Sequence, residues 1–532
     1  MIGFICFTVS SPKKYNIKGV LTRQNWKITY RTLILRMDQK GCGGEKMVER
    51  VLMITPEFEG VAKAGGLAAA VTGLSAELKR KGVDVRVIMP NISYGYGRRK
   101  FVNSEIESKE QVEIEGIPVH FAKSVRIAGT YHSTNLDIGD IVYRKESRDA
   151  YIAALTLGHT APEILRSMMD TWVPDVIHCH EWFTAAVIPN FQQGVFRKIP
   201  KILTSHNMKY IGEVPNSSYD LSSSAQRWNE TFTIPTHQHA LVLYNELFGS
   251  LLEMGIHTAD EFTTVSEKYA AEVMENQIPV DSRVRERAIA KGVVGIINGI
   301  DYDKMNPTQA KVPFDASDPE SLSYGKGANK YALQQHFGFS PDANKMQVTV
   351  MSRLVDEKGS YELLDALDQL MALDIQLLIV GEPDGVLRNR LYHERGVYSD
   401  PKIVGANTMI SPKFTTEEER KLILAGSDAI LMPSKTEPCG LVQLEGMAYG
   451  AIPICTLTGG LADTVKVFTG SDGYGVPVQE VTVEGIVQAV KNAVALYQNK
   501  EQFRVAQMSA ARQRFTWNNP VDRYLARYDN LV

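Results

Sequence analysis

The sequence predicts an α/β fold in which parallel sheets, wound with helices on both faces, are divided over more than one domain. Short apolar runs, typical of buried strands, alternate with helical or loop-rich segments along most of the chain, and this alternation indicates doubly wound sheets. At 532 residues the chain is longer than a typical single domain. The segment around 305–345 is rich in Pro, Asp, Ser, Gly and Lys and poor in apolar residues, which indicates the crossing into a second domain.

The composition is that of an ordinary globular protein, with 44% hydrophobic and 22% charged residues. A net charge of −3 argues against a general nucleic-acid or membrane-surface partner, because both usually need a basic excess. No apolar run approaches the roughly 20 residues of a membrane helix. The five cysteines show no CxxC pair and no metal-ligand spacing, so we expect free thiols in a reducing compartment, the cytoplasm.

Residues 1–46 form an N-terminal extension that we expect to be disordered or not native. Met1 to Met37 contain seven Lys or Arg and no Asp or Glu, which is the composition of an organelle transit peptide. A genuine transit peptide would direct the protein to a plastid. The alternative is a start assigned too far upstream, because residues 47–50 lead directly into the first strand.

The first strand is predicted at Val51–Thr55, and the glycine loop after it contains Lys63, Gly65 and Gly66. A helix is predicted from Ala68 to Lys81, with Gly82 ending it. Adjacent glycines let backbone N–H groups approach a phosphate closely, and Lys63 adds a positive charge. This pattern alone fits a structural turn and an anion site equally well.

Further strands of the first domain are predicted from five apolar runs: Val85–Pro90, Val176–Cys179, Ile202–Ser205, Phe262–Val265 and Gly295–Ile297. Polar residues follow two of them. His178 and His180 have the spacing of a metal site, but no third ligand lies at a telling distance, so no metal is predicted. His206 comes just after a strand, where a structural histidine would also be ordinary.

The second domain is predicted to begin with a strand at Val348–Met351, followed at once by Arg353 and Lys358 in a strand-to-helix loop; another strand is expected at Gln376–Val380. Two cations in such a loop are often solvated surface charge. A leaving diphosphate, however, needs fixed positive charge where negative charge develops, and these two side chains would supply it.

A third loop follows the predicted strand Ala429–Met432 and carries Glu437 and Gly440 before a helical pattern. Open α/β sheets bind ligands at the carboxyl ends of their strands, where backbone N–H groups can meet an anion or sugar hydroxyls. The alternative is a well-formed β-to-α turn with a capping glutamate.

The stretch Glu437-Pro438-Cys439-Gly440-Leu441-x-Gln443-Leu444, with Thr458-Gly459-Gly460-Leu461-Ala462-Asp463-Thr464-Val465 downstream, resembles the donor-site region of bacterial glycogen synthases and plant starch synthases. Further motifs of that family occur in order from about Val51 to the C-terminus. The resemblance implies two facing Rossmann-like domains of the GT-B type, with the active site in the cleft between them.

By this resemblance we expect an N-terminal acceptor and catalytic domain over 47–304 and a C-terminal nucleotide-sugar-binding domain over 305–512. Residues 513–532 would form a helix that returns towards the first domain. The apolar spacing of that helix would equally suit a cover for the core of the second domain.

The family's motifs also imply roles for individual residues. His206, Arg353, Lys358 and Glu437 would be catalytic, and Glu181 would line the sugar and acceptor cleft. Donor contacts would come from Lys63, Gly65, Gly66, Asn298, Cys439, Gly440, Leu441, Glu445, Thr458 and Gly459. The implied reaction transfers glucose from ADP-glucose to the nonreducing end of an α-1,4-glucan with retention, without a cofactor or metal.

Several positions depart from the family pattern. Ala68 and Ala69 replace Gly-Asp, Glu181 replaces the usual Asp, and Lys435 also differs. Phe414 is a candidate for the aromatic that stacks on the nucleotide base in the family.

Two alternatives remain open. The Glu437 and Glu445 pair resembles other retaining glycosyltransferases, such as sucrose synthases and mannosyltransferases, in which the second Glu holds the ribose. The departures would also fit a degenerate, non-catalytic glucan-binding protein. The sequence leaves the oligomeric state open.

Overall fold

The structure is a computed structural model that describes residues 47–63, 65–90, 111–122, 148–192, 194–213 and 248–532. The predictions made for residues 1–46 lie outside the described residues. Two sheets account for the described strands, one of eight and one of seven strands.

The first sheet has the strand order β3-β4-β2-β1-β5-β6-β7-β8. All its pairs are parallel except the β3–β4 hairpin at one edge. Its strands are β1 (Arg50–Ile54), β2 (Asp84–Pro90), β3 (Gln111–Ile114), β4 (Ile117–Ala122), β5 (Val176–His180), β6 (Lys201–Ser205), β7 (Glu261–Thr264) and β8 (Val294–Gly295). The six strands predicted for this domain are present, each within two residues of its predicted ends.

Helices cover this sheet on both faces. They are α1 (Gly66–Arg80), α2 (Arg148–Met168), α3 (Glu181–Ala185), α4 (Leu251–Thr258), α5 (Glu267–Met274) and α6 (Ser282–Lys291), with 3₁₀ turns at Ile188–Gln192 and Gly194–Lys198. Helix α1 begins at Gly66, two residues before the predicted start, so the second glycine of the loop already belongs to the first turn.

The second sheet has the order β11-β12-β10-β9-β13-β14-β15, and only its β11–β12 edge pair is antiparallel. Its strands are β9 (Met346–Met351), β10 (Ile375–Val380), β11 (Lys402–Ile403), β12 (Thr408–Ser411), β13 (Ala429–Met432), β14 (Ile452–Cys455) and β15 (Val476–Pro477). Alternate residues of β10 pack into separate hydrophobic clusters, Leu377 and Ile379 on one face and Leu378 and Val380 on the other. Such a strand is buried on both faces, which explains its continuous apolar run.

The helices of this second unit are α7 (Pro319–His336), α8 (Ser360–Asp365), α9 (Leu367–Met371), α10 (Gly385–Arg395), α11 (Glu417–Gly426), α12 (Val442–Ala448), α13 (Gly459–Thr464), α14 (Val483–Gln498) and α15 (Lys500–Ala511), with 3₁₀ turns at Pro307–Gln309 and Asp356–Lys358. A capping box starts α11, because Thr416 and Glu419 each bond the other's backbone amide. In the part of the chain that the structure describes, no helix is long and apolar enough to span a membrane.

The last helix, α16 (Asn518–Leu531), packs on the core of the first sheet through Val521, Tyr524 and Tyr528. The Tyr528 hydroxyl lies 2.7 Å from Nδ1 of His178 on β5. The N-terminus of the described chain is tied to the same helix, since the Val48 amide donates to Asp529 over 2.7 Å.

Both sheets therefore have the doubly wound arrangement that the sequence predicts. Strand order reverses between β1 and β5 in the first sheet and between β9 and β13 in the second. In such sheets the crevice at this reversal, outside the carboxyl ends of the strands, is where ligands bind. The loops after β1, β5, β6, β9 and β13 are thus the places to look for a site.

Candidate functional site

The loop after β9 places Arg353 and Lys358 beside the loop after β13. Lys358 Nζ donates to Glu437 Oε2 over 2.7 Å, and Ser434 Oγ lies 3.3 Å from the same oxygen. Glu437 is only 7% exposed. The structure thus brings together three residues predicted to be catalytic, with a carboxylate and an ammonium in direct contact.

Gly359 allows the loop after β9 to lie this close to the loop after β13. Its φ is +67°, and a Cβ there would lie 2.0 Å from the Pro433 carbonyl oxygen. A side chain at this position would therefore collide with the backbone of the neighbouring loop and push Lys358 away from Glu437.

Arg353 reaches across the cleft to the first sheet. Its Nη1 donates to the Tyr210 hydroxyl over 3.0 Å, and its Nη2 donates to Glu357 Oε1 over 3.2 Å. The Asn207 side chain, also from the first unit, donates to the same Glu357 oxygen over 3.3 Å. The loop after β6 and the loop after β9 therefore meet in one polar network.

His206 lies in that β6 loop, half-buried, with its Nε2 3.2 Å from Nδ1 of His180. Burial lowers the pKa of His206 to about 3. Its imidazole is consequently neutral at physiological pH, and it can act as a hydrogen-bond partner but not as a cation.

Glu181 begins α3 directly after β5, with a left-handed φ of +71° and 2% exposure. Its Oε1 accepts from the amides of His206 (2.6 Å) and Asn207 (2.8 Å), and its Oε2 accepts from the Trp182 amide (3.2 Å). Burial raises the pKa of Glu181 to about 8, against these amide donors, which favour the carboxylate. Its carboxyl group thus orders the backbone that carries His206.

Lys63 occupies a different part of the cleft. Its Nζ pairs with Glu59 over 2.7 Å, and no bond joins it to Arg353, Lys358 or their carboxylates among the described residues. The Gly65 amide donates to Glu57 over 3.0 Å. A Cβ on Gly66 would lie 3.3 Å from the Leu441 side chain, so the glycine loop and the second unit are close together here.

A cavity of about 330 Å³ opens between the two units beside Lys63. Glu445 of α12 lines it and forms a buried ion pair with Arg420 of α11. Phe414, just before α11, is half-buried. Sequence reasoning missed Arg420, because it lies 25 residues from Glu445 on another helix and no spacing indicates the pairing.

Four of the remaining predicted donor contacts, Asn298, Cys439, Thr458 and Gly459, lie where the units touch. Thr458 Oγ1 donates to Glu272 of α5 over 3.0 Å, and the Gly459 amide donates to the same carboxylate over 3.1 Å. Burial raises the pKa of the Cys439 thiol to about 12, against hydrogen bonds from Asn298. The thiol is therefore protonated and unreactive at neutral pH.

The remaining position, Gly440, has a φ of +70°, which allows the sharp turn into α12. Three further residues that the sequence missed, Tyr210, Asn207 and Glu357, all lie within four residues of a predicted one. Their only signal was their place after strands β6 and β9. Among the described residues no cluster of three or more His, Cys, Asp or Glu could hold a metal ion.

Comparison with known proteins gives two family matches. Residues 50–283 match the family described as "Starch synthase catalytic domain", and residues 334–507 match "Glycosyl transferases group 1". The glycogen synthase of Caldicellulosiruptor bescii is 32% identical over 507 residues, covering 91% of this chain and 99% of that protein. The glycogen synthase of Exiguobacterium sibiricum is 30% identical, covering 88% and 95%.

Solved structures share the fold. The catalytic domain of starch synthase IV from Arabidopsis thaliana, bound to ADP and acarbose, superposes with a TM-score of 0.72 at 24% identity, over 91% of this chain and 99% of that one. Sucrose-phosphate synthase from Thermosynechococcus elongatus gives a TM-score of 0.58 at 15% identity, over 91% and 99%. The two facing Rossmann-like units therefore have the GT-B arrangement.

Proposed function

The chain belongs to the glycogen synthase family, and from this premise we propose that it transfers glucose from ADP-glucose to the nonreducing end of an α-1,4-glucan with retention at the anomeric carbon. One observation carries the proposal. At the carboxyl ends of the strands, Arg353 bonds Tyr210 of the first unit and Lys358 bonds Glu437 of the second. A donor bound there would have its diphosphate on these cations and its sugar towards Glu437 and His206.

The two cations would act on the leaving group. As the bond between the anomeric carbon and the phosphate oxygen breaks, negative charge grows on the ADP, and Arg353 and Lys358 would stabilise it. The acceptor hydroxyl oxygen forms the new bond to the same carbon. Its proton passes to the departing phosphate oxygen, so the step needs no protein base.

His206 and Glu437 would orient the sugar. Because the His206 imidazole is neutral, it would offer a hydrogen bond to a sugar hydroxyl without adding charge. Glu437 is held by Lys358 and Ser434, so its carboxylate is fixed in direction before the donor arrives. Fixed partners of this kind lower the barrier because they need no rearrangement during the reaction.

One observation favours a second candidate, another retaining nucleotide-sugar glycosyltransferase. Glu445 lines the cavity beside Lys63, where the ribose-binding Glu of sucrose-synthase-like and mannosyltransferase-like enzymes would be expected. That role is compatible with several donors. The identity of the nucleotide is therefore the first property to measure.

The test is to incubate the purified protein with ADP-glucose or UDP-glucose and glycogen, and to measure chain extension and donor hydrolysis. The proposal expects extension with ADP-glucose and much less with UDP-glucose. Preference for another donor would favour the second candidate. No incorporation and no hydrolysis under any condition would instead indicate a glucan-binding protein.

A further inference from the structure

Glu357 lies between the two cations that the proposed function assigns to the diphosphate. It is 3% exposed. Arg353 Nη2 is 3.2 Å and Lys358 Nζ is 3.9 Å from its Oε1. From the other unit, Asn207 Nδ2 is 3.3 Å from Oε1 and Lys209 Nζ is 3.4 Å from Oε2. One carboxylate therefore has donors from both sides of the cleft.

The charges around Glu357 keep it ionised. Burial alone would raise its pKa, but Lys358, Arg353 and Lys209 together hold the pKa below its ordinary value. Three cations thus share this carboxylate, and Lys358 also binds Glu437. A buried carboxylate bound by arginine, lysine and amide donors makes the same contacts that a phosphate group would make.

We propose that Glu357 is an internal counter-anion, which binds the phosphate-site cations in the ligand-free protein and holds the two units together until a diphosphate displaces it. The inference rests on the proposed function, since it takes Arg353 and Lys358 as diphosphate ligands. It adds a residue that competes with the donor for those ligands.

Displacement requires little movement of the loop. The Glu357 backbone stays anchored, because its carbonyl oxygen accepts from the Lys435 amide over 2.9 Å. Only the side chain has to turn away when the diphosphate arrives. Asn207 and Lys209, released from the carboxylate, would then face the bound anion from the first unit.

Removing the charge should strengthen anion binding. Glu357→Gln keeps the size and one acceptor oxygen but removes the negative charge that Arg353, Lys358 and Lys209 share, while Lys358 keeps its pair with Glu437. We expect ADP and inorganic pyrophosphate, measured by titration calorimetry, to bind at least fivefold more tightly to Glu357→Gln than to wild type. The gain should shrink at high salt, because it is electrostatic.

Glu362→Gln is the matched control. Glu362 lies in the same part of the chain but pairs with Lys435 over 2.8 Å, so its neutralisation should leave both affinities within twofold of wild type. If Glu357 instead only positions Arg353 and Lys358, Glu357→Gln will bind ADP and pyrophosphate more weakly. Weaker or unchanged binding would overturn the inference.

Glu357→Asp provides a second variant in case the Gln variant does not fold. Its carboxylate is one methylene further from the cations, so ADP should bind with an affinity between those of wild type and the expected Gln variant, and binding no tighter than wild type would again overturn the inference. The outcomes separate the two proposals. Wild-type protein that binds neither ADP nor pyrophosphate would contradict the proposed function itself, whereas normal wild-type binding with no gain in the variants would contradict only the role of Glu357.

Discussion

The two cation-bearing loops that face each other across the cleft are held in different ways. Lys358 is 14% exposed and pairs with Glu437, which follows a different strand. Lys63 is 40% exposed and pairs with Glu59, four residues earlier in its own loop. A pair between distant, buried elements fixes a side chain in place, whereas an exposed local pair contributes little and exchanges easily. In the proposed anion site, the second unit thus supplies the preformed side and the first supplies a mobile charge.

The surroundings of the two loops differ in the same sense. Around Arg353 the contacts are direct and cross the cleft, to Tyr210 and through Glu357 to Asn207. Around Lys63 there is instead a cavity of about 330 Å³. We infer that donor binding begins on the preformed side and that the Lys63 side is completed when the cleft closes on the donor.

The largest effect is expected at Glu437, on the preformed side. Glu437→Gln should nearly abolish transfer, by roughly 10³-fold in kcat, because it removes the carboxylate that Lys358 and the sugar share. Glu445→Gln, on the cavity side, should mainly raise the donor KM, by about tenfold, if its carboxylate binds ribose. Steady-state kinetics on both variants provide the measurement. Equal losses of kcat with unchanged donor KM would remove the distinction between the two sides.

The next largest effect is expected when either cation of the preformed side, Arg353 or Lys358, is removed. Arg353→Ala or Lys358→Ala should lower turnover by roughly 10²-fold, because in the proposed reaction each charge acts on the leaving diphosphate. Lys435→Ala is the control, since Lys435 lies in the neighbouring loop but pairs with Asp356 and Glu362. Wild-type turnover in a cation variant would take that residue out of the proposed role.

The preformed side was also the easier one to predict. A polar residue shortly after the apolar run of a parallel strand lies near the carboxyl end of that strand, so Arg353, Glu437 and His206 could each be placed at such an end from the sequence alone. What the pattern lacks is information on which loops touch. The bond from Thr458 to Glu272 joins residues 186 positions apart, and only the packing of the two units creates it.

Glu181 shows the same limit within one unit. Its position after β5 placed it at the cleft, but its three amide contacts depend on a left-handed backbone conformation that no pattern around it indicates. The edge hairpin β3–β4 and the Arg420–Glu445 pair were missed for related reasons. A short half-buried strand has little apolar signal, and a pairing between helices depends on how they pack.

Acid should weaken the first unit, which carries the mobile charge, through a histidine in its core. His178 on β5 is wholly buried between the hydroxyls of Tyr528 and Thr204. Burial lowers the pKa of His178 from its ordinary 6.5 to about 3. The unfolded chain therefore binds a proton that the folded chain does not, so this contribution to stability is complete above pH 6.5 and is lost as the pH falls towards 3.

The expected cost from His178 is about 2 kcal/mol of unfolding free energy at about pH 5, relative to neutral pH. Unfolding temperatures measured at both pH values should fall for wild type. In His178→Gln, which lowers the stability at neutral pH as well, the further loss on acidification should be smaller. A loss on acidification as large as that of wild type would show that other groups control the acid response.

The smallest effect is expected for Lys63, the mobile charge. Its substitution tests whether the two sides of the cleft bind the donor at different stages. If Lys63 meets the diphosphate only in the closed state, Lys63→Ala should lower kcat by about tenfold and weaken ADP binding by less than twofold, as expected for an interaction made late on the reaction path. Lys304→Ala removes the other lysine near Glu59, 3.6 Å away, and should leave kcat within twofold. The measurements are ADP affinity by calorimetry and glucose transfer at steady state on the same preparations. If ADP affinity falls as much as kcat does, Lys63 binds ADP in the ground state, and the two sides of the cleft differ in exposure but not in the order in which they engage the donor.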